Sequence, residues 1–133
     1  MIDAGLLKDI VREPNWADDT GEVCLCVDFS SASFSSDEMN TVAQWLRRQP
    51  VPVIGLNPGT ESLLDALDLV AGTVQEVERL ASTIRACPQA SAVLVQVTRV
   101  TMKLPVIAAL TVESLGYATL QGGAEFSRWL NGR

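Results

Sequence analysis

The sequence predicts an α/β fold, with a small parallel sheet of about three strands, flanking helices and a C-terminal helical region. Continuous apolar runs bounded by polar residues are typical of strands covered on both faces. They alternate with segments whose apolar residues recur at three- and four-residue spacing, which is typical of helices. After the last such run only helical patterns follow. We therefore expect a single domain, 1–133, with an α/β part at 1–72 and a helical part at 73–133.

The first twenty residues predict a short amphipathic helix and then a loop. Apolar residues recur at helical spacing over Met1–Val11, and Pro14 is expected to end that helix. The polar composition of Pro14–Gly21 predicts a loop.

Three apolar segments are the predicted strands: Glu22–Phe29, Pro50–Leu56 and Leu67–Ala71. Ligands bind outside the carboxyl ends of the strands in open parallel sheets. We therefore expect a binding site in the segments that follow the strands: Phe29–Ser36, Asn57–Glu61 and Gly72–Thr73.

Helix-start signals follow each predicted strand. Ser35 and Glu38 form a capping-box pattern that opens a helix running through Arg48, and Thr73 and Glu76 form a second one. One or two helical turns are expected over Glu61–Ala66. The helix after Thr73 carries an apolar stripe made of Val74, Val77, Leu80, Ala81 and Ile84.

The C-terminal region predicts two helices and a short last turn. Pro88 and Pro105 are expected to open the helices Gln89–Lys103 and Val106–Leu120, because proline suits the first turn. Positive φ at Gly122–Gly123 is expected to end the second helix, before a turn over Ala124–Leu130. Both helices carry more than one apolar stripe, which predicts that a partner chain covers them.

Composition excludes several classes of function. The formal net charge is −6 and the ten basic residues are scattered, which argues against nucleic-acid binding. The N-terminus lacks a basic leader, and no apolar run approaches the roughly 20 residues that span a bilayer. We therefore expect a cytoplasmic protein that binds neither nucleic acid nor membrane.

The chain contains no histidine, which removes His-based catalysis and the commonest zinc sites. Cys24 and Cys26 share one face of a predicted strand, too near in sequence for an easy disulfide, and Cys87 is the third cysteine. Buried free thiols and no metal site are expected. Any general acid or base must be a carboxylate, a thiol, a lysine or the single tyrosine.

Several stretches resemble the crotonase superfamily, the enoyl-CoA hydratase/isomerase proteins. They are VCLCVDFSSASFSSDEM, RRQPVPVIGLNPG and the tail ASAVLVQVTRVTMKLPVIAALTVESLGYATLQGGAEFSRWL. The resemblance implies a crotonase-like fold and a coenzyme A thioester as ligand, with no other cofactor. It implies an oxyanion donor near Ser35 or Ser36, a second donor at the turn holding Gly59, and a catalytic acid at Glu61 or Ser62. It also implies a trimer built through the C-terminal helices.

The sequence departs from the family pattern at two points. One glycine, Gly59, stands where the family has a glycine run, and Pro58 has no N–H to donate. The region that holds the family's second catalytic glutamate has no counterpart here. The resemblance therefore implies a truncated member, in which Glu61 could be paired only with Asp65 or Asp68.

These observations predict three alternative functions. The first is an enoyl-CoA hydratase/isomerase-like protein that binds an acyl-CoA thioester with weak, altered or absent catalysis. The alternative is a non-catalytic assembly subunit that self-associates, or pairs with another acyl-CoA enzyme, through its C-terminal helices. The third is a small α/β binding domain unrelated to crotonases.

Overall fold

The chain forms two compact units in a computed structural model that describes residues 1–12, 16–31 and 33–133. Met1–Ala86 is an α/β unit, called the sheet unit below, and Cys87–Arg133 is all helical and is called the helical unit. The predicted α/β fold with a parallel sheet and a helical C-terminal region is confirmed.

The sheet has four parallel strands in the order β1-β2-β3-β4, one more strand than predicted. The strands are β1 (Ile2–Asp3), β2 (Leu25–Asp28), β3 (Val53–Leu56) and β4 (Leu69–Ala71). The additional strand is β1, because Ile2 and Asp3 pair with Val27 and Asp28 instead of opening a helix. A strand of two residues is too short to show an alternating pattern, so sequence periodicity could not predict it.

The N-terminal helix is correspondingly shorter than predicted. A 3-10 helix covers Ala4–Leu6 and α1 covers Leu7–Ile10. The carboxylate of Asp3 accepts a hydrogen bond from the N–H of Gly5 at 2.7 Å, which holds the change from strand to helix. The predicted end of the helix at Pro14 lies outside the described residues.

The prediction of a loop throughout 14–21 was wrong, because α2 (Trp16–Thr20) is helical. The Thr20 hydroxyl donates to the carbonyl of Trp16 at 2.8 Å within this turn. The Trp16 ring lies edge-on to Trp45, with 6.4 Å between the ring centroids. Tertiary packing of one aromatic side chain thus favours a helix that the polar composition did not predict.

The remaining helices of the sheet unit are α3 (Ser36–Arg47), α4 (Glu61–Leu64) and α5 (Val74–Ala86). Two clusters of buried side chains lie on opposite faces of the sheet. One face, called the α3 face, is covered by α1, α3 and α4; its central side chains are Leu7, Leu25, Val27, Val42, Leu46, Val53 and Leu63. The other, called the α5 face, is covered by α5; its side chains are Cys24, Ile54, Leu56, Ala71, Val77, Ala81 and Ile84. Burial on both faces explains the continuous apolar runs.

Helix α5 belongs to the sheet unit because its apolar stripe packs on β3 and β4. The division expected after Gly72 would separate this helix from the strands that it contacts, whereas the compact units divide between Ala86 and Cys87. The side chain of Leu67 packs closely over Gly55 in β3, so a Cβ at this position would force that side chain to move.

The predicted capping box of α3 is confirmed. The Ser35 hydroxyl accepts from the N–H of Glu38 at 3.3 Å, and the Glu38 carboxylate accepts from the N–H of Ser35 at 2.8 Å. This bond from Ser35, with the ammonium of Lys8 at 3.0 Å, lowers the pKa of Glu38. The second box forms only in part, because Thr73 caps Glu76 while the Glu76 carboxylate accepts from Gly72.

The helical unit contains α6 (Pro88–Thr101), α7 (Val106–Gln121) and α8 (Ala124–Asn131). Pro88 opens α6 as predicted, whereas Pro105 lies one residue before α7. The prediction of positive φ after α7 was wrong, because Gly122 has φ −78° and remains in the right-handed region. Among the described residues, no helix is both long and apolar enough to cross a bilayer.

Substituting Ser35 with alanine should destabilise the sheet unit by about 1 kcal/mol, because the N–H of Glu38 loses its acceptor. Ser36→Ala, one residue later and outside the capping position, is the matched control and should change the free energy of unfolding by less than about 0.5 kcal/mol. Urea unfolding monitored by circular dichroism measures both. Equal losses in the two variants would show that the capping box contributes nothing specific.

The lowered pKa of Glu38 determines how its contribution to the free energy of unfolding changes with pH. Its stabilising contribution is present above the ordinary carboxyl range and is lost as the pH falls through the lowered pKa.

Candidate functional site

The helical unit is built on a close crossing of two helices. α6 and α7 run back along each other after the short connection at Met102–Pro105. At Gly116 the helices approach so closely that an added Cβ would lie 2.8 Å from Cγ2 of Val97 and 3.3 Å from Cγ1 of Val93. A glycine in the middle of a helix lowers its intrinsic stability, so its presence here is explained by this packing.

The third helix is attached to the first by a carboxylate. Glu125 on α8 accepts hydrogen bonds from the N–H groups of Gln89, at 2.7 Å, and Ala90, at 3.0 Å. These amides belong to the first turn of α6, which has no side-chain cap of its own. A negative charge at the positive end of a helix stabilises both the helix and the contact.

An open groove of about 490 Å³ lies between α6 and α7. The side chains of Leu94, Val97, Tyr117 and Leu120 make most of it apolar, while Thr98, Thr101, Glu113 and Ser114 also line it. The groove belongs entirely to the helical unit.

None of the three helices contains a fully buried residue. Eleven large apolar side chains of this unit are exposed, with Met102, Ile107 and Val106 more than 70% accessible. The full set is Leu94, Val100, Met102, Leu104, Val106, Ile107, Leu110, Leu115, Tyr117, Trp129 and Leu130. We call this set the apolar surface of the helical unit.

The expected thioester site lies on the sheet unit, at the carboxyl ends of β2 and β3. Ser36 is the first residue of α3 and is exposed. Gly59 lies in the turn after β3, and Glu61 is the first residue of α4. The two loops meet where the Thr60 hydroxyl approaches Sδ of Met39 at 3.6 Å, so the structure brings the starts of α3 and α4 to the same region of the sheet edge.

The turn at Gly59 has an unusual backbone. Asn57 and Gly59 have φ values of 53° and 68°, in the left-handed region. The N–H of Thr60 donates to the carbonyl of Pro58 at 2.8 Å, which closes a three-residue γ-turn around Gly59. The Asn57 amide donates to the Ser30 hydroxyl at 2.7 Å, and that hydroxyl donates to Asp28 at 2.6 Å. The turn is thus tied to the loop after β2.

Carboxylates near this edge are occupied or exposed. Asp68 accepts from the N–H of Val53 at 2.8 Å and therefore holds the start of β3. Glu61 and Asp65 are exposed at the two ends of α4, where solvent screens them. The Ser30 bonds lower the pKa of Asp28, so it stays ionised near neutral pH. The described residues contain no group of three potential metal-ligating side chains.

No protein-family model, curated protein or solved structure matches this chain. The resemblance to the crotonase superfamily is therefore carried by the quoted residues alone.

Sequence reasoning missed three contacts at these sites. The bonds from Glu125 to α6 and from Asn57 to Ser30 join residues that are 36 and 27 positions apart, so no local pattern reveals them. The bond between Asp68 and Val53 spans 15 positions. The acid immediately before a strand could have suggested this last role, because strand ends leave backbone N–H groups without ladder partners.

Replacing Glu125 with glutamine should lower the free energy of unfolding of the helical unit by about 1–3 kcal/mol, because two charge-assisted hydrogen bonds are lost. Glu113→Gln, an equal charge change at an exposed position on α7, is the control and should have little effect. Native-state hydrogen exchange at Gln89 and Ala90 measures the change locally. Unaltered protection of these two amides in Glu125→Gln would contradict the proposed attachment.

Proposed function

We propose that this chain is a crotonase-like, non-catalytic assembly subunit that self-associates through the apolar surface of the helical unit. The observation that carries the proposal is the exposure of eleven large apolar side chains in the helical unit, nine of them on three helices that contain no fully buried residue. The resemblance of this tail to the family's assembly region supports the same function.

The size of the surface favours a stable interface. The largest apolar patch of a typical monomer covers about 300–600 Å². The helical unit exposes eleven large apolar side chains within 47 residues, whereas exposed apolar residues of an ordinary monomer are scattered singly. Burying such an area gives a large favourable free energy, from which the cost of association is subtracted.

The charge of the unit favours a second copy as the partner. Only six charged side chains lie in Cys87–Arg133, four basic and two acidic, while most of the chain's 16 acidic residues lie in the sheet unit. A surface with few charges repels its own copy little and offers little attraction to a highly charged partner. Most soluble oligomers are closed assemblies of identical chains, and a ring of three uses contacts between two different patches of each chain.

The double substitution Ile107→Glu with Leu110→Glu should weaken self-association at least tenfold, because both exposed side chains lie on the apolar surface of α7. Thr111→Glu, exposed on the same helix, is the matched control for an added charge. Sedimentation equilibrium measures the association constant and the number of chains, for which the family resemblance predicts three. A wild-type chain that remains monomeric at about 100 μM would refute the proposal.

Acyl-thioester binding is a second candidate, favoured by the γ-turn at Gly59. This turn and the start of α3 lie at neighbouring strand ends, which is the usual place for a ligand in a parallel sheet. Two backbone N–H groups there would stabilise the thioester oxygen. In this proposal Ser36 and Gly59 contribute those groups, and Glu61 is the one acid available to act on the substrate.

Calorimetric titration tests this candidate directly. Acetoacetyl-CoA should bind with an affinity in the micromolar range, about −8 kcal/mol. Gly59→Ala should lose that binding because alanine does not tolerate a φ of 68°. Glu61→Gln should retain binding and lose any turnover. Equal binding of acetoacetyl-CoA and free CoA would mean that the thioester is not recognised, and no heat at all would eliminate the candidate.

A further inference from the structure

Two cysteine sulfurs lie together on the less covered face of the sheet. Cys24 and Cys26 both point to the α5 face, and their sulfur atoms are 3.9 Å apart within hydrogen-bonding range. Cys24 is buried at 4% accessibility, whereas Cys26 is only half-buried. Helix α5 packs on β3 and β4 and leaves the sulfur of Cys26 at the border of its coverage.

An opening of about 190 Å³ leads to Cys26. Its lining includes the apolar side chains of Val74, Val77 and Ala81, with Arg85 and Glu78 from the same helix and Met1 from the N-terminus. A small molecule can therefore reach this sulfur, and the guanidinium of Arg85 provides a positive charge for a carboxylate on that molecule.

The surroundings of the two cysteines shift the pKa values of their thiols in opposite directions. The hydrogen bond from Cys24 lowers the pKa of Cys26 to about 7, with Arg85 and the N-terminal ammonium acting in the same direction against burial and Glu22. The same hydrogen bond, together with burial, raises the pKa of Cys24. Cys24 thus stays a thiol that donates its hydrogen, and Cys26 is the sulfur that becomes a thiolate. The thiolate is the nucleophilic form of cysteine.

The strand prevents the two sulfurs from joining each other. Cys24 immediately precedes β2 and Cys26 is its second residue. Cβ atoms on one face of an extended chain repeat at roughly 6.6 Å, whereas those of a disulfide lie about 3.5–4.5 Å apart. Cys26 pairs with Ile54 of β3, so closing this gap would disturb the ladder between β2 and β3. An internal disulfide is therefore disfavoured while the sheet is intact.

We propose that Cys26 is a modification site that forms a mixed disulfide with small, carboxylate-bearing disulfides, and that Cys24 is a positioning residue whose S–H supports the Cys26 thiolate. The site is independent of the assembly function and lies in the other unit. A disulfide of the glutathione class is the co-reactant, with Arg85 facing its carboxylate.

The reaction is a single thiol–disulfide exchange. The Cys26 thiolate attacks one sulfur of the small disulfide, a new S–S bond forms, and the old S–S bond breaks. The second half leaves as a thiolate and takes a proton from water. Cys26 replaces the departing half in the disulfide, and the departing half is released as a thiol, so the reaction needs no further oxidant. A small thiol reverses it by attacking the mixed disulfide.

The test follows the reaction of glutathione disulfide with the full-length Cys87→Ser variant by intact-mass spectrometry and peptide mapping. Cys87→Ser removes the exposed third thiol, which would otherwise react as well. One glutathione adduct on Cys26 is expected, with a rate that rises with pH to a plateau above a midpoint near 7. Adding Cys26→Ser should abolish the adduct.

Cys24 variants separate the positioning role from a purely structural one. Adding Cys24→Ala should move the midpoint of the rate profile upward and slow the reaction at pH 7 by about tenfold or more, since each unit of pKa changes the thiolate fraction up to tenfold. Cys24→Ser keeps a hydroxyl donor and should restore part of the rate. Circular dichroism confirms that each variant is folded.

Three results would overturn the proposal. The first is the absence of any adduct in the Cys87→Ser protein. The second is an unchanged pH profile in folded Cys24→Ala, which would show that the neighbouring thiol does not support the thiolate. The third is loss of two hydrogens per chain without a glutathione adduct, which would show an internal disulfide instead.

Discussion

Helix α7 carries large apolar side chains that the other two helices of its unit leave exposed. A helix of this kind is stable in water only when other surfaces enclose it. Within the unit, α6 covers the side at Gly116, and the Glu125 carboxylate joins α8 to the start of α6. Five large apolar side chains of α7 nevertheless stay exposed: Val106, Ile107, Leu110, Leu115 and Tyr117. This constraint is the physical basis of the proposed self-association.

The sheet unit covers the apolar side chains of its strands with its own helices. β2 and β3 are covered by α3 on one face and α5 on the other, and their central side chains are buried. Hydrogen bonds between distant residues then hold both ends of β3. Asp68 accepts from Val53 at the start of the strand, and Asn57, just after its end, donates to Ser30. These polar groups are engaged in holding the sheet edge. Asp68 is therefore occupied in holding the sheet, whereas Glu61 and Asp65 are exposed.

Local signals made part of this fold predictable from sequence. The Ser35 and Glu38 pattern contains both partners of the cap within one turn, and the run around β2 reports burial on both faces. β1 was missed because its two residues are defined only by pairing with β2, about 25 positions later. The candidate sites show the same difference between local patterns and long-range contacts. Strand alternation placed Cys24 and Cys26 on one face, but no pattern could place Arg85 beside them, because that contact depends on how α5 packs.

The two proposed activities make opposite demands on their surroundings. The apolar surface needs to lose water, since its contribution comes from burial. The Cys26 thiolate needs access to solvent and a hydrogen-bond donor, since the bond with Cys24 lowers its pKa while burial acts in the opposite direction. Half-burial of Cys26 beside Arg85 satisfies that demand, and complete exposure, as at Cys87, would give no selectivity. The surface and the thiol belong to different compact units, so each demand is met by separate residues.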